Sequence, residues 1–228
     1  YFNKALMKDL GIPDPYKTVN DGKWTIDYFN EIIKKVHSDV NGDGVMDEND
    51  LYGFTSDFYS AAVTYQYAFD NPVFKKDSSG ELKLSYYNPK MIQIVDKVYE
   101  LFYGNEGSYV GTWGVSGPIW ESGRAMLLNG IFESAIQYRA SDIDFGILPY
   151  PKFYEQQERY LTMSDGAHSI MAVPVTVSDP ERTSIIIEAL NAESYKQVVP
   201  AYYEKALKVK YSRDDESVKI LDIILDGR

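Results

Sequence analysis

The chain has 228 residues and a mass of 26.0 kDa, with 44% hydrophobic and 25% charged residues, which is enough to bury the core of one large domain or two smaller ones. Its 34 acidic and 23 basic residues give a net charge of −11, which disfavours binding to the phosphate backbone of nucleic acids. The absence of cysteine excludes disulfides, thiolate catalysis and thiolate metal sites, and no apolar run approaches the roughly 20 residues of a membrane-spanning helix.

The beginning of the chain predicts a helix, an acidic loop, a strand and a second helix. Thr25 can cap a helix whose apolar residues recur at helical spacing as far as Val36. The segment Asp39–Asp50 is rich in Asp and Gly and ends that helix. We expect a short strand over Tyr52–Thr55 and a helix over Thr64–Phe69.

The middle of the chain predicts a strand, a long amphipathic helix and a loop. Alternation over Lys83–Tyr87 indicates the strand, and Asn88-Pro89 is typical of a helix start. The apolar residues expected to face inward from this helix are Met91, Ile94, Val95, Val98, Leu101 and Phe102. Gly104–Gly117 contains five glycines and predicts a loop, after which Pro118 begins a short helix that carries Trp120.

The end of the chain alternates short strands with helices. The expected strands are Ala125–Asn129, Asp144–Leu148 and Ser169–Val173. The expected helices are one after Asp179-Pro180, one over Tyr195–Leu207 that Pro200 bends or breaks, and one over Asp214–Leu225. This alternation favours an α/β fold.

The loop at residues 39–50 carries the most specific local pattern. It has the spacing of a twelve-residue calcium loop, with oxygen ligands at positions 1, 3, 5, 7, 9 and 12 and a glycine at the turn. The ligand positions are held by Asp39, Asn41, Asp43, the Val45 carbonyl, Asp47 and Asp50. Gly44 stands at the turn, and Asp50 replaces the usual glutamate. We expect a structural calcium ion here; an Asp/Asn/Gly turn without metal is the alternative.

No catalytic motif stands out in the sequence. His37 and His168 are its two histidines, so a zinc site built from several histidines is excluded. Neither a nucleophile elbow nor a phosphate-binding loop occurs. Acidic residues are abundant, so a glycosidase pair stays possible, but no feature marks any two of them as that pair.

Five short segments follow one another along nearly the whole chain in a specific order. They are Tyr1-Phe2-Asn3-Lys4, Gly22-Lys23-Trp24-Thr25, Gly123–Phe132, Asp144–Lys152 and Ser178-Asp179-Pro180-Glu181. Together they resemble the extracellular solute-binding proteins of bacterial ABC importers, the sugar-binding family that includes maltose-binding protein. The resemblance is strongest to lipoprotein members from Gram-positive bacteria, in which a similar acidic loop recurs.

The resemblance implies an α/β, type II periplasmic-binding-protein-like fold in which two lobes close on a sugar. Residues 1–165 would form the second lobe, including the calcium-type loop. Residues 166–228 would form the crossover and helices that return toward the first lobe, whose first half is absent, since family members are about twice as long. The resemblance implies that Asp57, Tyr59 and Phe132 contact the ligand. Trp113 and Trp120 are further candidates because of their residue type. Asp165 and His168 are candidates because they lie at the crossover, near the cleft in such folds.

The implied function is non-enzymatic capture of an extracellular carbohydrate, an oligosaccharide in particular, for delivery to the membrane permease of an ABC importer. We expect a monomer that binds no nucleic acid. The implied location is extracellular, on a lipid anchor that belongs to the full-length protein. Two alternatives stay open: a carbohydrate-active hydrolase or its accessory domain, and a calcium-clipped adhesion or scaffold module.

Overall fold

A mixed sheet with helices packed against it forms the body of the protein. The computed structural model describes residues 1–164 and 169–228, without the side chains of residues 58–61, 210 and 211. The strands are β1 (Phe2–Asn3), β2 (His37–Ser38), β3 (Leu51–Asp57), β4 (Phe74–Lys76), β5 (Leu82–Leu84), β6 (Ser108–Gly111), β7 (Ala125–Leu128) and β8 (Phe145–Gly146). The α-helices are α1 (Lys4–Asp9), α2 (Pro15–Asn20), α3 (Ile26–Ile33), α4 (Phe58–Ala68), α5 (Pro89–Tyr99), α6 (Ser116–Glu121), α7 (Ser134–Tyr138), α8 (Pro180–Glu193) and α9 (Asp215–Asp226). Wider π-type turns occupy Glu100–Gly104, Ser194–Val198 and Ala201–Tyr211. None of the described helices has both the length and the apolarity that crossing a bilayer requires.

Strand β3 organises the main sheet. The strand order is β2-β3-β7-β1-β8, and β6 also pairs with β3. β3 runs parallel to β6 and β7, so that Phe54 lies opposite Ser108 on one side and Leu127 on the other. β2 pairs antiparallel with the beginning of β3, and β1 lies antiparallel between β7 and β8. The carboxyl ends of β3, β6 and β7 therefore point the same way, toward what we call the carboxyl end of the sheet.

Side-chain caps begin four of the helices that the sequence predicts. The capping residues are Thr25 for α3, Asn88 for α5, Asp179 for α8 and Asp214 for α9. Each side-chain oxygen accepts the backbone N–H three residues later, which satisfies an amide that the helix itself leaves unpaired. These predicted starts are confirmed.

Two neighbouring glycines let the end of α3 lie directly on the sheet. A Cβ added at Gly53 in β3 would lie 2.6 Å from the Ile33 carbonyl oxygen, and one at Gly107, just before β6, would lie 1.8 Å from it. The Asn105 side chain fixes the same place, because Nδ2 donates to Asn30 O at 3.0 Å while Oδ1 accepts from Gly107 N at 3.0 Å. Helix and sheet therefore meet here through backbone atoms.

Aromatic rings fill the core between α3 and the sheet. Phe29 lies edge-to-face with Trp24 and with Phe54, at centroid distances of 5.5 and 5.1 Å. This geometry aligns the positive ring edge with the negative ring face. Trp24 Nε1 donates to Pro149 O at 3.0 Å, so its buried polar atom is satisfied. The Trp-Thr segment that carries part of the family resemblance thus acts in packing and capping.

The last two helices differ in how they pack. The inward residues of α9 are Ser217, Ile220, Leu221 and Ile224. Ser217 Oγ also accepts from Ile147 N at 3.2 Å, which joins α9 to the strand region that follows β8. α8, by contrast, has no buried residue, and its exposed apolar side chains include Ile185, Ile186 and Leu190. α9 therefore shares the core of residues 1–164, whereas the division into lobes at residue 165 stays a prediction.

Three expectations from the sequence pattern are wrong. The glycine-rich segment Gly104–Gly117 contains β6, because pairing with β3 stabilises an extended backbone that composition alone did not indicate. Val95 was expected inward but is 51% exposed, on the outer face of α5. Residues Ser169–Val173 form no strand, and Ile170 is 85% exposed, since an apolar run without a neighbouring strand lacks hydrogen-bond partners.

Asp214 connects the last helix to the first two. Its carboxylate accepts from Tyr16 OH at 2.9 Å and from Ser217 N at 2.5 Å, and it pairs with Lys4 Nζ at 2.5 Å. Burial acts to raise the pKa of Asp214, but these hydrogen bonds outweigh it and the pKa is lowered from 3.8. A carboxyl whose pKa is lower in the folded than in the unfolded state contributes stability above the unfolded value, and this contribution is lost as the pH falls through the folded value.

We expect Asp214→Ala to lower the free energy of unfolding by about 2–3 kcal/mol near neutral pH, through loss of the cap and of the charged hydrogen bonds. The deficit should shrink as the pH falls below about 4, where the wild type loses the same contribution. Asp214→Asn keeps a capping oxygen, so it should cost less near neutral pH. Urea unfolding at several pH values measures both variants; a deficit for Asp214→Ala that does not change with pH would contradict the argument.

Candidate functional site

The carboxyl end of the sheet brings three loops together. β3 ends at Asp57, β6 at Gly111 and β7 at Leu128, and β3 is the neighbour of both other strands. The segments that follow β6 and β7 therefore begin on either side of Asp57. In open α/β sheets ligands bind outside the carboxyl ends of the parallel strands. This end of the sheet is the candidate site.

Asp57 holds the loop that follows β6. Its Oδ2 accepts from Gly114 N at 2.9 Å and its Oδ1 from Ser116 N at 3.0 Å. It gives no side-chain cap to α4, the helix that directly follows it. Both oxygens therefore bind the backbone of the loop Thr112–Ser116, which we call the Trp113 loop. The sequence implied that Asp57 contacts the ligand, whereas the structure shows a carboxylate already engaged with this loop.

Trp113 projects from this loop into solvent. Its side chain is 79% exposed, although Trp is a residue that proteins commonly bury. Gly114 has φ of +89°, a conformation that L side chains rarely adopt, and Val115 N donates to Thr112 O at 3.3 Å to close the turn. An indole held on a fixed turn offers a flat apolar face and an N–H donor.

A polar network lies at the end of β7, on the other side of β3 from the Trp113 loop. Asn129 Nδ2 donates to Ser56 Oγ at 3.1 Å, and Asn129 Oδ1 accepts from Tyr65 OH at 3.4 Å. Burial raises the pKa of Tyr65 well above its usual value, so its hydroxyl stays a donor. Asn129 was not among the predicted site residues. Its position directly after a buried strand was the signal that could have identified it.

A small cavity adjoins Asn129 and Gly130. Its volume is about 50 Å³. The aromatic side chains that line it are Tyr1, Trp24, Phe29, Phe54, Tyr65 and Tyr150. Burial raises the pKa of Tyr150 to about 12, so this phenol also stays protonated. Ligand pockets typically measure about 300–1,000 Å³, so this cavity has room for a few water molecules and a sugar would have to lie outside it.

Two of the predicted ligand-contacting aromatics pack against the protein itself. Trp120 is fully buried, with its ring 6.0 Å from that of Tyr138, so the structure corrects the expectation that it offers a face to a ligand. Burial, with the charges of Glu121 and Asp57, raises the pKa of Tyr138 to about 12. Phe132 is half-buried and lies 6.4 Å from the ring of Tyr203, so only part of its surface remains accessible.

The remaining predicted site residues lie outside what the structure describes. Asp165 and His168 fall in the gap between residues 164 and 169, and Tyr59 is described only as part of the α4 backbone. The structure therefore brings Asp57 and Trp113 together from the predicted set, and it adds Asn129.

A second, larger groove lies on another part of the surface. It measures about 640 Å³ and lies between α2, the first turns of α3 and residues 154–156. Charged groups dominate its lining, and several of them are already paired, as in the Lys17–Asp21 ion pair at 2.6 Å and the Lys97–Asp27 pair. None of the three site residues Asp57, Trp113 and Asn129 lines this groove.

A comparison with solved structures finds a fold like this one. The maltose/maltodextrin-binding domain MalE from Bdellovibrio bacteriovorus, solved bound to maltotriose, matches 88% of this chain with a TM-score of 0.55 and 15% sequence identity. The chain has a periplasmic-binding-protein-like α/β fold. It spans about half of that domain, 55% of its length. No protein-family model matches the sequence, and no curated protein matches it.

The Asp39–Asp50 loop is closed on itself by its own carboxylates. Asp39 accepts two backbone amides within the turn, at 2.6 and 2.8 Å. Asp50 is fully buried and accepts from Val40 N at 3.0 Å and from Asp47 N at 2.9 Å. Position 12 of the loop is thereby held beside position 2, as a loop that encircles one ion requires.

The donor set of this loop is chemically suited to a hard cation. It offers four carboxylates, one amide oxygen and one backbone carbonyl, and calcium prefers six or more oxygen ligands. Among the described residues, no three His, Asp or Glu side chains already converge as metal ligands.

Three contacts attach the loop to the sheet. Tyr52 OH in β3 donates to Asp47 O at 3.0 Å, and Tyr109 OH in β6 donates to Glu48 Oε2 at 3.3 Å. Arg124 Nη1, directly before β7, donates to Glu48 O at 2.6 Å. The loop is therefore fixed to the same three strands whose opposite ends form the candidate site.

Proposed function

We propose that this protein binds an extracellular carbohydrate without chemical conversion and presents it to the permease of an ABC importer. The observation that carries this proposal is that the exposed Trp113 and the amide of Asn129 stand at the same carboxyl end of the sheet in a periplasmic-binding-protein-like fold. Pyranose rings stack on aromatic faces, and their hydroxyls pair with side-chain amides such as that of Asn129. The similar domain from Bdellovibrio bacteriovorus binds maltotriose, which supports an oligosaccharide as ligand.

The proposed mechanism is closure of two lobes around the sugar. The body described here would supply one wall, and ligand would favour the closed state because it contacts both walls only there. The exposed Ile185, Ile186 and Leu190 on α8 support this arrangement, since an apolar helix face needs a covering surface. In this proposal α8 belongs to the first lobe, and the full-length protein is an extracellular lipoprotein that acts as a monomer.

The hydrolase alternative has less support. Glycosidases place two carboxyl groups about 5–9.5 Å apart across the scissile bond. Asp57, which stands at the candidate site, has both oxygens engaged by backbone amides of the Trp113 loop. A nucleophile or a general acid needs an oxygen that can reach the substrate.

We also propose that the Asp39–Asp50 loop binds a structural calcium ion. The ligands would be Asp39, Asn41, Asp43, the Val45 carbonyl, Asp47 and Asp50. The attachment of the loop to β3, β6 and β7 supports a role in stabilising this fold, rather than in a separate adhesion or scaffold module.

Thermal unfolding with a panel of mono- and oligosaccharides tests the function. With calcium present and each sugar at tenfold its dissociation constant, binding to the folded state adds about 1.4 kcal/mol. For a chain of this size the midpoint should rise by roughly 3–6 °C with one class of saccharide. The sugars should run to tens of millimolar, because the second wall is proposed to lie in the other lobe. If no saccharide changes the midpoint or the tryptophan emission, the carbohydrate proposal is contradicted.

A further inference from the structure

We propose that Trp113 is the stacking platform for a pyranose ring and that Asp57 is a positioning residue which acts through the Trp113 loop. This inference rests on the proposed carbohydrate function. It assigns the aromatic contact to Trp113 and gives Asp57 a role other than binding sugar hydroxyls.

The role of Asp57 follows from its two hydrogen bonds. One carboxylate oxygen of Asp57 accepts from Gly114 N and the other from Ser116 N. The carboxylate therefore bridges the two ends of the short turn that directly follows Trp113. A carboxylate that accepts two amides fixes their relative position more firmly than one neutral acceptor would. Asp57 is the last residue of β3 and lies opposite Gly111 in the sheet, so the sheet register places it directly beside the loop.

The role of Trp113 follows from its exposure and from the stiffness of its support. Trp24 and Trp120 are buried at 1% and 0% exposure, whereas Trp113 is 79% exposed. Behind it, a Cβ added at Gly111 would contact the Val115 side chain at 3.0–3.3 Å, so the loop packs back on the end of β6. A rigid aromatic binds with little loss of conformational entropy, which favours it as a sugar platform.

The test uses Trp113→Ala, Trp113→Phe, Asp57→Asn and the double variant Asp57→Asn/Trp113→Ala. Sugar affinity is measured by titration with the saccharide that raises the wild-type midpoint most. Trp113→Ala should weaken binding about tenfold, and Trp113→Phe should keep most of the affinity. Asp57→Asn should weaken binding by a similar factor. The double variant should be no weaker than Trp113→Ala, because the two residues act as one unit. Tyr87→Ala is the matched control, since Tyr87 is 89% exposed and lies between β5 and α5.

A second readout needs no sugar. Because the other two tryptophans are buried, acrylamide quenching of the fluorescence reports on Trp113. Asp57→Asn should change the quenching and the emission maximum of Trp113. Gly114→Ala should do the same without touching Asp57, because an L side chain is strained at φ of +89°.

The outcomes separate this inference from the proposed function. If wild type binds a sugar and Trp113→Ala binds it equally well, the platform assignment is overturned while the function stands. If the losses from Asp57→Asn and Trp113→Ala multiply in the double variant, Asp57 contacts the sugar itself and its positioning role is overturned. If no sugar binds to wild type, the proposed function and the platform both fail.

Discussion

Gly107→Ala is expected to destabilise the protein by about 3 kcal/mol or more, which for a chain of this length lowers the midpoint by roughly 6–12 °C. The added Cβ would lie 1.8 Å from the Ile33 carbonyl oxygen and 2.5 Å from its carbon. Both contacts involve backbone, so no rotamer change can relieve them. The end of α3 would have to move away from the sheet, or β6 would have to leave its place beside β3.

Gly117→Ala provides the matched control. Gly117 lies within α6, and its nearest contact to an added Cβ is the Tyr138 hydroxyl at 3.8 Å, an ordinary packing distance. Alanine has the higher helix propensity, but a Cβ before Pro118 opposes the helical conformation, so this change should alter the stability by no more than about 1 kcal/mol. Thermal and urea unfolding of both variants give the comparison. Equal stability of the two variants would show that α3 does not rest on Gly107 in solution.

Calcium is expected to raise the midpoint of unfolding by roughly 3–10 °C at a concentration of 10 mM. Extracellular loops of this kind bind calcium with dissociation constants of about 0.1–1 mM. At 10 mM, which is about 10 to 100 times these dissociation constants, an ion that binds only the folded state adds about 1.4–2.7 kcal/mol. Magnesium at the same concentration should have a smaller effect, because its coordination shell is smaller and more rigid.

Two variants locate this effect. Asp50→Ala removes a fully buried carboxylate that accepts two amides, so it should abolish the calcium-dependent rise and also lower the midpoint in the absence of calcium. Asp77→Ala is the matched control, because Asp77 also accepts amides in a turn, those of Ser79 and Glu81, but lies in the β4–β5 hairpin. A calcium response that persists in Asp50→Ala would place the ion elsewhere.

The local rules of helix capping were sufficient to predict where several of the helices begin. Thr25, Asn88, Asp179 and Asp214 each stand where a polar side chain precedes an amphipathic run, and such signals depend only on neighbouring residues. β6 was missed because its stability comes from pairing with β3, some 50 residues away in the sequence. Ser169–Val173 was wrongly predicted for the converse reason: its composition suits a strand, but no neighbouring strand pairs with it.

Side-chain roles at the candidate site were harder to predict than the fold. Asp57 and Trp113 could be selected by residue type and position. That Asp57 holds the Trp113 loop depends on the register of two strands, which the sequence does not display. Trp120 lies on a predicted helix, and which face of that helix meets the core is decided by the tertiary packing around Tyr138.

The lateral borders of the main sheet have a consequence for self-association. Along one border, two short strands pair with different parts of β3. β2 has two residues and runs antiparallel to it, and β6 has four residues and runs parallel to it. The opposite border is β8, which has two residues. Short and interrupted borders offer few unpaired backbone groups to an incoming strand, and natural proteins use them to avoid aggregation. We therefore expect this sheet to resist growth by strand addition at high protein concentration.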